Sequence, residues 1–106
     1  MLASWYGPGF HGRMTANGEI YDQFDLTAAH KSLKFGTLLR ISNKLNGKSV
    51  LVRINDRGPY VGDREIDLSY GAAKSIGMLK SGVKTLAVEL VKVSDSIEIL
   101  NSKVPM

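Results

Sequence analysis

The dipeptide Asn46-Gly47 constrains this chain more than any other feature. It lies between Leu38-Leu39-Arg40-Ile41-Ser42-Asn43 and Ser49-Val50-Leu51-Val52-Arg53-Ile54. Both central residues of the tightest hairpin turn need positive φ, which Asn and Gly tolerate. Two apolar runs flanking Asn-Gly therefore predict an antiparallel hairpin. Val50, Val52 and Ile54 then share one face, with Leu51 and Arg53 on the other. Extended segments are also expected over 2–6, 26–29 and 64–68, and over the β-branched run 83–93. One helix is predicted from an N-cap at Ser69 to Ser75 or Ile76, with Ala72, Ala73 and Ile76 inward and Gly77 as its stop. Six short strands and one helix leave a chain of 106 residues little material to cover sheet edges. Closure into a small, mainly β barrel removes those edges. Residues 94–106 read as a polar tail or linker, so the barrel is expected within residues 1–93.

Composition narrows the function classes. There are no cysteines, which excludes disulfide scaffolds, thiolate zinc sites and cysteine nucleophiles. The formal net charge is +4, which favours anionic partners. Yet Lys and Arg are scattered singly, with no basic arm, so no nucleic-acid partner is expected. No apolar run approaches the roughly 20 residues of a membrane span. The N-terminus has neither a basic n-region nor a long apolar h-region, so no signal peptide is expected in this chain. Phosphate loops, dinucleotide fingerprints and Gly-x-Ser-x-Gly are absent from the sequence.

Several side chains are candidates for chemistry. Asp56, in Asn55-Asp56-Arg57-Gly58-Pro59-Tyr60, follows a strong apolar strand. It either closes an Asx-turn into Gly58-Pro59 or projects into a cleft from rigid support. Glu19, in Thr15-Ala16-Asn17-Gly18-Glu19, is either a solvated loop glutamate or a site carboxylate. His30, after Leu26-Thr27-Ala28-Ala29, is either a structural imidazole or a site residue. His11 lies in a glycine-rich loop and is expected to face solvent. Neither histidine has the spacing of a metal ligand pair, so no metal and no cofactor is expected. Trp5 and Tyr6 alternate in direction. One should pack inward, and the other, with Tyr60, is a candidate platform for a sugar ring; Tyr60 otherwise caps the core from its turn. Asn17, Asn55, Arg57 and Asp67 are the polar rim that such a groove would use.

Taken in order, these segments resemble the rare lipoprotein A family. The likeness is carried by Ala3-Ser4-Trp5-Tyr6-Gly7, Phe10-His11-Gly12-Arg13-Met14-Thr15-Ala16-Asn17-Gly18-Glu19, Leu26-Thr27-Ala28-Ala29-His30 and Phe35-Gly36-Thr37. It continues through Arg53-Ile54-Asn55-Asp56-Arg57-Gly58-Pro59-Tyr60 and Ile66-Asp67-Leu68-Ser69. The resemblance implies a six-stranded double-psi β-barrel, as in expansin and barwin. It also implies endolytic peptidoglycan lytic transglycosylase activity, that of a carbon–oxygen lyase. Carried over position by position, Asp56 matches the family's essential Asp, and Glu19 and His30 match its two further polar residues. Asp67 matches an Asp that lines the groove of expansin-like barrels.

The implied reaction cuts the β-1,4 bond between N-acetylmuramic acid and N-acetylglucosamine without water, leaving a 1,6-anhydro end. An ordinary glycosidase needs two carboxyl groups. Here the nucleophile is the substrate's own C6 hydroxyl, so one well-placed acid and base suffices. On this expectation Asp56 does both jobs, and must carry a proton at working pH, which burial or a neighbour such as Asp67 or Glu19 would favour. The implied partners are peptidoglycan glycan strands, with cell-division or envelope proteins also admitted. The implied compartment is the periplasm or cell envelope, and the implied state a monomer. The alternatives are a non-hydrolytic, expansin-like glycan-binding module and a protein-interaction barrel.

Overall fold

The computed structural model describes residues 1–93, and the tail expected at 94–106 lies outside the described residues. Seven strands and one helix run in the order β1 (Leu2–Trp5), β2 (Thr27–His30), β3 (Leu38–Asn43), β4 (Lys48–Asp56), β5 (Ile66–Leu68), α1 (Tyr70–Ser75), β6 (Lys84–Thr85) and β7 (Ala87–Lys92). The expected hairpin forms, with Leu38 paired to Arg53 and Asn43 to Lys48. Its turn is wider than the two-residue type: residues 44–47 span it, and Gly47 at φ +72° has positive φ where Asn46 does not. The strand expected over 83–93 is divided in two, which raises the count from six to seven. Leu86 is the break: its side chain is buried and its N–H donates to the Met1 carbonyl at 2.9 Å.

That break has a topological reason. The strands neighbour one another in the order β6-β1-β5-β2-β4-β3-β7. The two end strands of that order are consecutive in the chain, separated only by Leu86. One extended stretch thus pairs with β1 at its start and with β3 along its length, curling the sheet back on itself. Two parallel pairings, β1 with β5 and β2 with β4, give the crossed connections of a double-psi barrel. Among the described residues no helix is long and apolar enough to cross a membrane.

The barrel interior holds Leu39, Ile41, Val52, Ile54, Ile66 and Leu68, each at most 2% exposed. The alternation read from the hairpin is kept: Val50, Val52 and Ile54 are buried, and Leu51 is exposed. Helix α1 closes one opening with Ala72, Ala73 and Ile76, all fully buried. Its N-cap is Ser69, whose hydroxyl accepts from the Ala72 N–H at 3.1 Å and donates to the Asp25 carbonyl at 2.6 Å. Gly77, at φ +71°, ends it. The start of α1 lies hard against the preceding loop. A Cβ on Gly71 would stand 2.8 Å from the Phe24 carbonyl oxygen, closer than any side chain tolerates.

Candidate active site

Alternation along β4 carries on from Ile54 only as far as a bulge. Ile54 pairs with Ala28 and Asp56 with Ala29, which leaves Asn55 as an extra residue without a partner on β2. Such an insertion re-aims the strand beyond it. Unbroken alternation would send Asp56 inward with Val52 and Ile54. Instead it stands opposite Ala29 on the outer wall. Ala29 is also paired with Asp67 of β5, and Asp67 with Ser4 of β1. One row of side chains therefore crosses four strands: Ser4, Asp67, Ala29, Asp56.

Over this row Tyr6 and Tyr21 join Ala29 in a second, smaller apolar cluster. The rings of Tyr6 and Tyr21 stack at 4.6 Å between centroids, and Phe10 meets Tyr6 edge-on. Between this cluster and the turn after β4 lies an open groove of about 280 Å³, lined by Tyr6, Phe10, Met14, Asp56, Pro59 and Asp67, with Arg13, Ala29, Arg57 and Gly58. A larger hollow, about 570 Å³, runs between Asn43–Leu45 and Lys84–Ala87, but no acid or base other than lysine lines it. The smaller groove is the one that carboxyl groups line, Asp56 and Asp67.

Asp56 is held from three sides. The Tyr6 hydroxyl donates to Oδ2 at 2.6 Å. The Ala16 N–H donates to Oδ1 at 2.8 Å, and the Arg57 N–H donates to the same oxygen at 2.9 Å. Burial, then the hydrogen bond to Asp56, push the Tyr6 phenol far above its ordinary value, so Tyr6 stays a donor. Asp67 has a different setting. Its Oδ1 accepts from the Ser4 hydroxyl at 2.9 Å. Burial raises the Asp67 carboxyl above its ordinary value, against the lowering effects of Ser4 and Arg64, and the charge of Asp56 raises it further.

Glu19 sits beside the groove rather than in it. Both its carboxylate oxygens accept from Arg53 Nη1, at 2.8 and 3.0 Å, and Oε1 also accepts from Asn55 Nδ2 at 3.0 Å. The Arg53 guanidinium is the main reason its carboxyl is held below the usual range. Asn17 belongs to the same cluster. Its Oδ1 accepts from the Thr15 hydroxyl and the Glu19 N–H, and its own N–H donates to the Asn55 carbonyl at 3.3 Å. These bonds press the turn 15–19 onto the end of β4, which is how the Ala16 amide reaches Asp56.

His30 ends β2. Its Nδ1 accepts from the N–H groups of Ser32 and Leu33, each at 3.1 Å. That pattern assigns the neutral tautomer with hydrogen on Nε2. Burial and the nearby Arg57 charge lower its pKa below the ordinary value. Arg57 clamps the same turn from the other side. Its Nη1 donates to the Leu33 carbonyl at 2.8 Å, and its guanidinium lies 3.9 Å from the Phe35 ring centroid.

Of the residues singled out from sequence, the groove collects Tyr6, Asp56, Arg57 and Asp67. Glu19, Asn17 and Asn55 form the adjoining cluster. His30 lies outside the groove lining, as do Trp5 and Tyr60. Trp5 packs against the main core and meets Tyr70 edge-on, while Tyr60 is 73% exposed. Sequence reasoning missed Ser4, Ala29, the Ala16 amide and Arg13 as parts of the site. Pairing partners across strands carry no local sequence signal. Among the described residues no three His, Asp or Glu side chains converge as a metal site requires.

A family model described as "Lytic transglycolase" matches residues 1–88. The chain is 60% identical over 91 residues to a Synechocystis protein named "Probable endolytic peptidoglycan transglycosylase RlpA", covering 86% of this chain and 28% of that protein. It is 54% identical over 90 residues to the Campylobacter jejuni "Endolytic peptidoglycan transglycosylase RlpA", covering 85% of this chain and 33% of the relative. The chain thus spans about a third of the length of these relatives. Among solved structures it is similar to the Streptomyces papain inhibitor, with a TM-score of 0.68 and 20% identity, covering 86% of this chain and 91% of that one. At that identity the likeness speaks for the barrel alone.

Proposed function

The chain belongs to the lytic transglycolase family, and from that premise we propose that it is an endolytic peptidoglycan lytic transglycosylase centred on Asp56. The substrate class is the glycan strand, and the bond is the β-1,4 link from N-acetylmuramic acid C1 to the N-acetylglucosamine O4. The muramyl C6 oxygen attacks C1, the C1–O4 bond breaks, and a 1,6-anhydro ring forms with no water consumed. Protons must reach O4 and leave the C6 hydroxyl, and Asp56 is the carboxyl around which both transfers take place. Action on this polymer puts the working protein in the periplasm or cell envelope, as a monomer.

One observation carries this reading. Asp56 is turned outward by a bulge into an open groove and fixed there by three donors on both oxygens, which is how a reacting group is held in productive geometry. Glu19 and His30 serve the same end from behind: Glu19 holds the turn that supplies the Ala16 amide, and His30 orders the turn against which Arg57 is clamped. Tyr6 and Phe10 give the groove aromatic walls for sugar C–H faces, and Asp67 adds to its polar rim. The test is digestion of purified sacculi, with mass spectrometry of the products. Wild type should release 1,6-anhydromuramyl ends, and Asp56→Asn should release at least 100-fold less with an unchanged thermal midpoint. Equal release by the two proteins removes Asp56 from the reaction. Pelleting with sacculi and no anhydro product from wild type favours the non-hydrolytic, expansin-like module.

A further inference from the structure

We propose that the site is a two-carboxyl site in which Asp67 protonates the departing O4 while Asp56 receives the proton of the attacking C6 hydroxyl. This rests on the lytic transglycosylase reading and divides between two residues the work first expected of Asp56.

Asp56 and Asp67 are both paired with Ala29, one from each side. Strands lie about 4.8 Å apart, so the two Cα atoms stand roughly 10 Å apart across the strand between them. The residue between them is Ala29, a small residue that lines the groove and is covered by Tyr6 and Tyr21. Both carboxyls line the same groove. Carboxyls on the two neighbours of one strand leave room for a glycosidic linkage, and an acid and a base can act on it from opposite sides.

The two carboxyls are also dressed for different work. Asp56 accepts on both oxygens from three donors, an arrangement suited to a carboxylate that takes a proton. Asp67 accepts only from Ser4, on Oδ1, and its Oδ2 has no hydrogen-bond donor among the described residues. The groups facing Asp67 are Ser4 on β1, Arg64 just before β5, Asp56 on β4 and the phenols of Tyr6 and Tyr21. Burial outweighs Ser4 and Arg64 there, and the net direction favours the protonated acid. A proton-bearing carboxyl beside an ionised one is the division that separates acid from base in many active sites.

The balance closes. The Asp67 proton goes to O4 as the C1–O4 pair leaves with oxygen. The C6 oxygen bonds to C1, and its proton goes to the Asp56 carboxylate. After product release, exchange with solvent returns the proton from Asp56 to Asp67. Nothing is oxidised, and no water is consumed.

The experiment compares two substrates: purified sacculi, and a 2,4-dinitrophenyl β-glycoside of an N-acetylmuramyl disaccharide, whose leaving group needs no proton. Asp67→Asn should lose at least 100-fold on sacculi and less than 10-fold on the aryl glycoside. Asp56→Asn should lose on both, since C6 deprotonation is needed in either case. Equal losses by Asp67→Asn on the two substrates, or no loss on sacculi, overturn the proposal while leaving the activity itself standing. If wild type makes no anhydro ends from sacculi, the underlying reading falls and this proposal with it. Where Asp67→Asn does not fold, or the aryl glycoside is not accepted, Ser4→Ala decides. Losing the Ser4 donor should move the alkaline limb of the pH–rate profile on sacculi to higher pH, and an unmoved limb overturns the proposal.

Discussion

His30 is the sharpest test of how the residues behind the groove act. Its Nδ1 accepts two backbone N–H groups, from Ser32 and Leu33. An imidazolium carries hydrogen on both nitrogens and accepts nothing, so protonation must break both bonds. That is why neutral imidazole is favoured here, alongside burial and the Arg57 charge, which lower its pKa. A group whose folded value is lowered gives stability that is present above the unfolded value, about 6.5, and is lost as the pH falls through the folded value. Each bond is partly open to solvent, so each contributes about 0.5–1 kcal/mol, or roughly 1–2 kcal/mol together. In a domain of this size that is about 5–15 °C in thermal midpoint. His30→Ala should show that deficit at pH 8, and the gap to wild type should close as the pH falls below 6.5. His30→Asn offers a side-chain oxygen in the same place but cannot titrate, so it should keep both stability and sacculus digestion at pH 8. The assay is a thermal melt from pH 4.5 to 8 for the three proteins, with anhydromuropeptide release at pH 8. A fully folded His30→Asn with no release would refute the reasoning and make the imidazole a reacting group.

Gly71→Ala should destabilise by about 1–3 kcal/mol, because the new methyl meets the Phe24 carbonyl oxygen at 2.8 Å; a denaturant midpoint unchanged from wild type would contradict the packing of α1. Tyr6→Phe keeps the stack on Tyr21 and removes the donor to Asp56 Oδ2. A hydrogen bond to a charged group is worth about 1.5–3 kcal/mol, so kcat should fall roughly 10- to 100-fold with little change in KM. Glu19→Gln removes the charge that Arg53 holds. Both partners are more than a third exposed, so the stability loss should be under about 1 kcal/mol. Because the Glu19 carboxyl is held low, wild-type stability from this pair is present above its ordinary value and is lost on further acidification. Melts between pH 3 and 5 should show that loss in wild type and not in the variant.

The hairpin, the helix and its cap were legible because each is written locally. Asn46-Gly47 marks the place of the turn, though not its length, since the loop spans residues 44–47 and only Gly47 of the pair has positive φ. Val50, Val52 and Ile54 fix a face, and Ser69 and Gly77 mark the ends of α1. Asp56, Glu19 and Asp67 could be singled out for the same reason, as carboxyls beside turns or alternating apolar residues. The division at Leu86 was not legible, since 83–93 has the composition of one strand. Only tertiary closure, with β1 claiming its start and β3 the rest, makes the break. The platform expected from Trp5, Tyr6 and Tyr60 shows the same limit. Alternation says that Trp5 and Tyr6 face opposite ways, but not which side the core occupies. That is decided by β5, whose Leu68 pairs with Trp5.

The bulge at Asn55 shows why the site itself needed the fold. Read along β4 alone, Asp56 falls on the face of Val52 and Ile54, where an ionised carboxyl would be costly to bury. The extra residue resolves that conflict and gains a second use. Asn55 is 3% exposed, and from that buried position it donates to Glu19 and accepts from the Asn17 N–H. The insertion that aims Asp56 outward also supplies the anchor for the turn that brings the Ala16 amide to it. On the far side, Ala29 is shared between a parallel neighbour and an antiparallel one, a placement that only the crossed connections of this barrel create. A larger side chain at 29 would push against Tyr6 and Tyr21, which cluster with Ala29, and so disturb the phenol that donates to Asp56. Topology brings the two carboxyls to one groove, where loop and strand-end groups donate to Asp56 and a strand hydroxyl to Asp67.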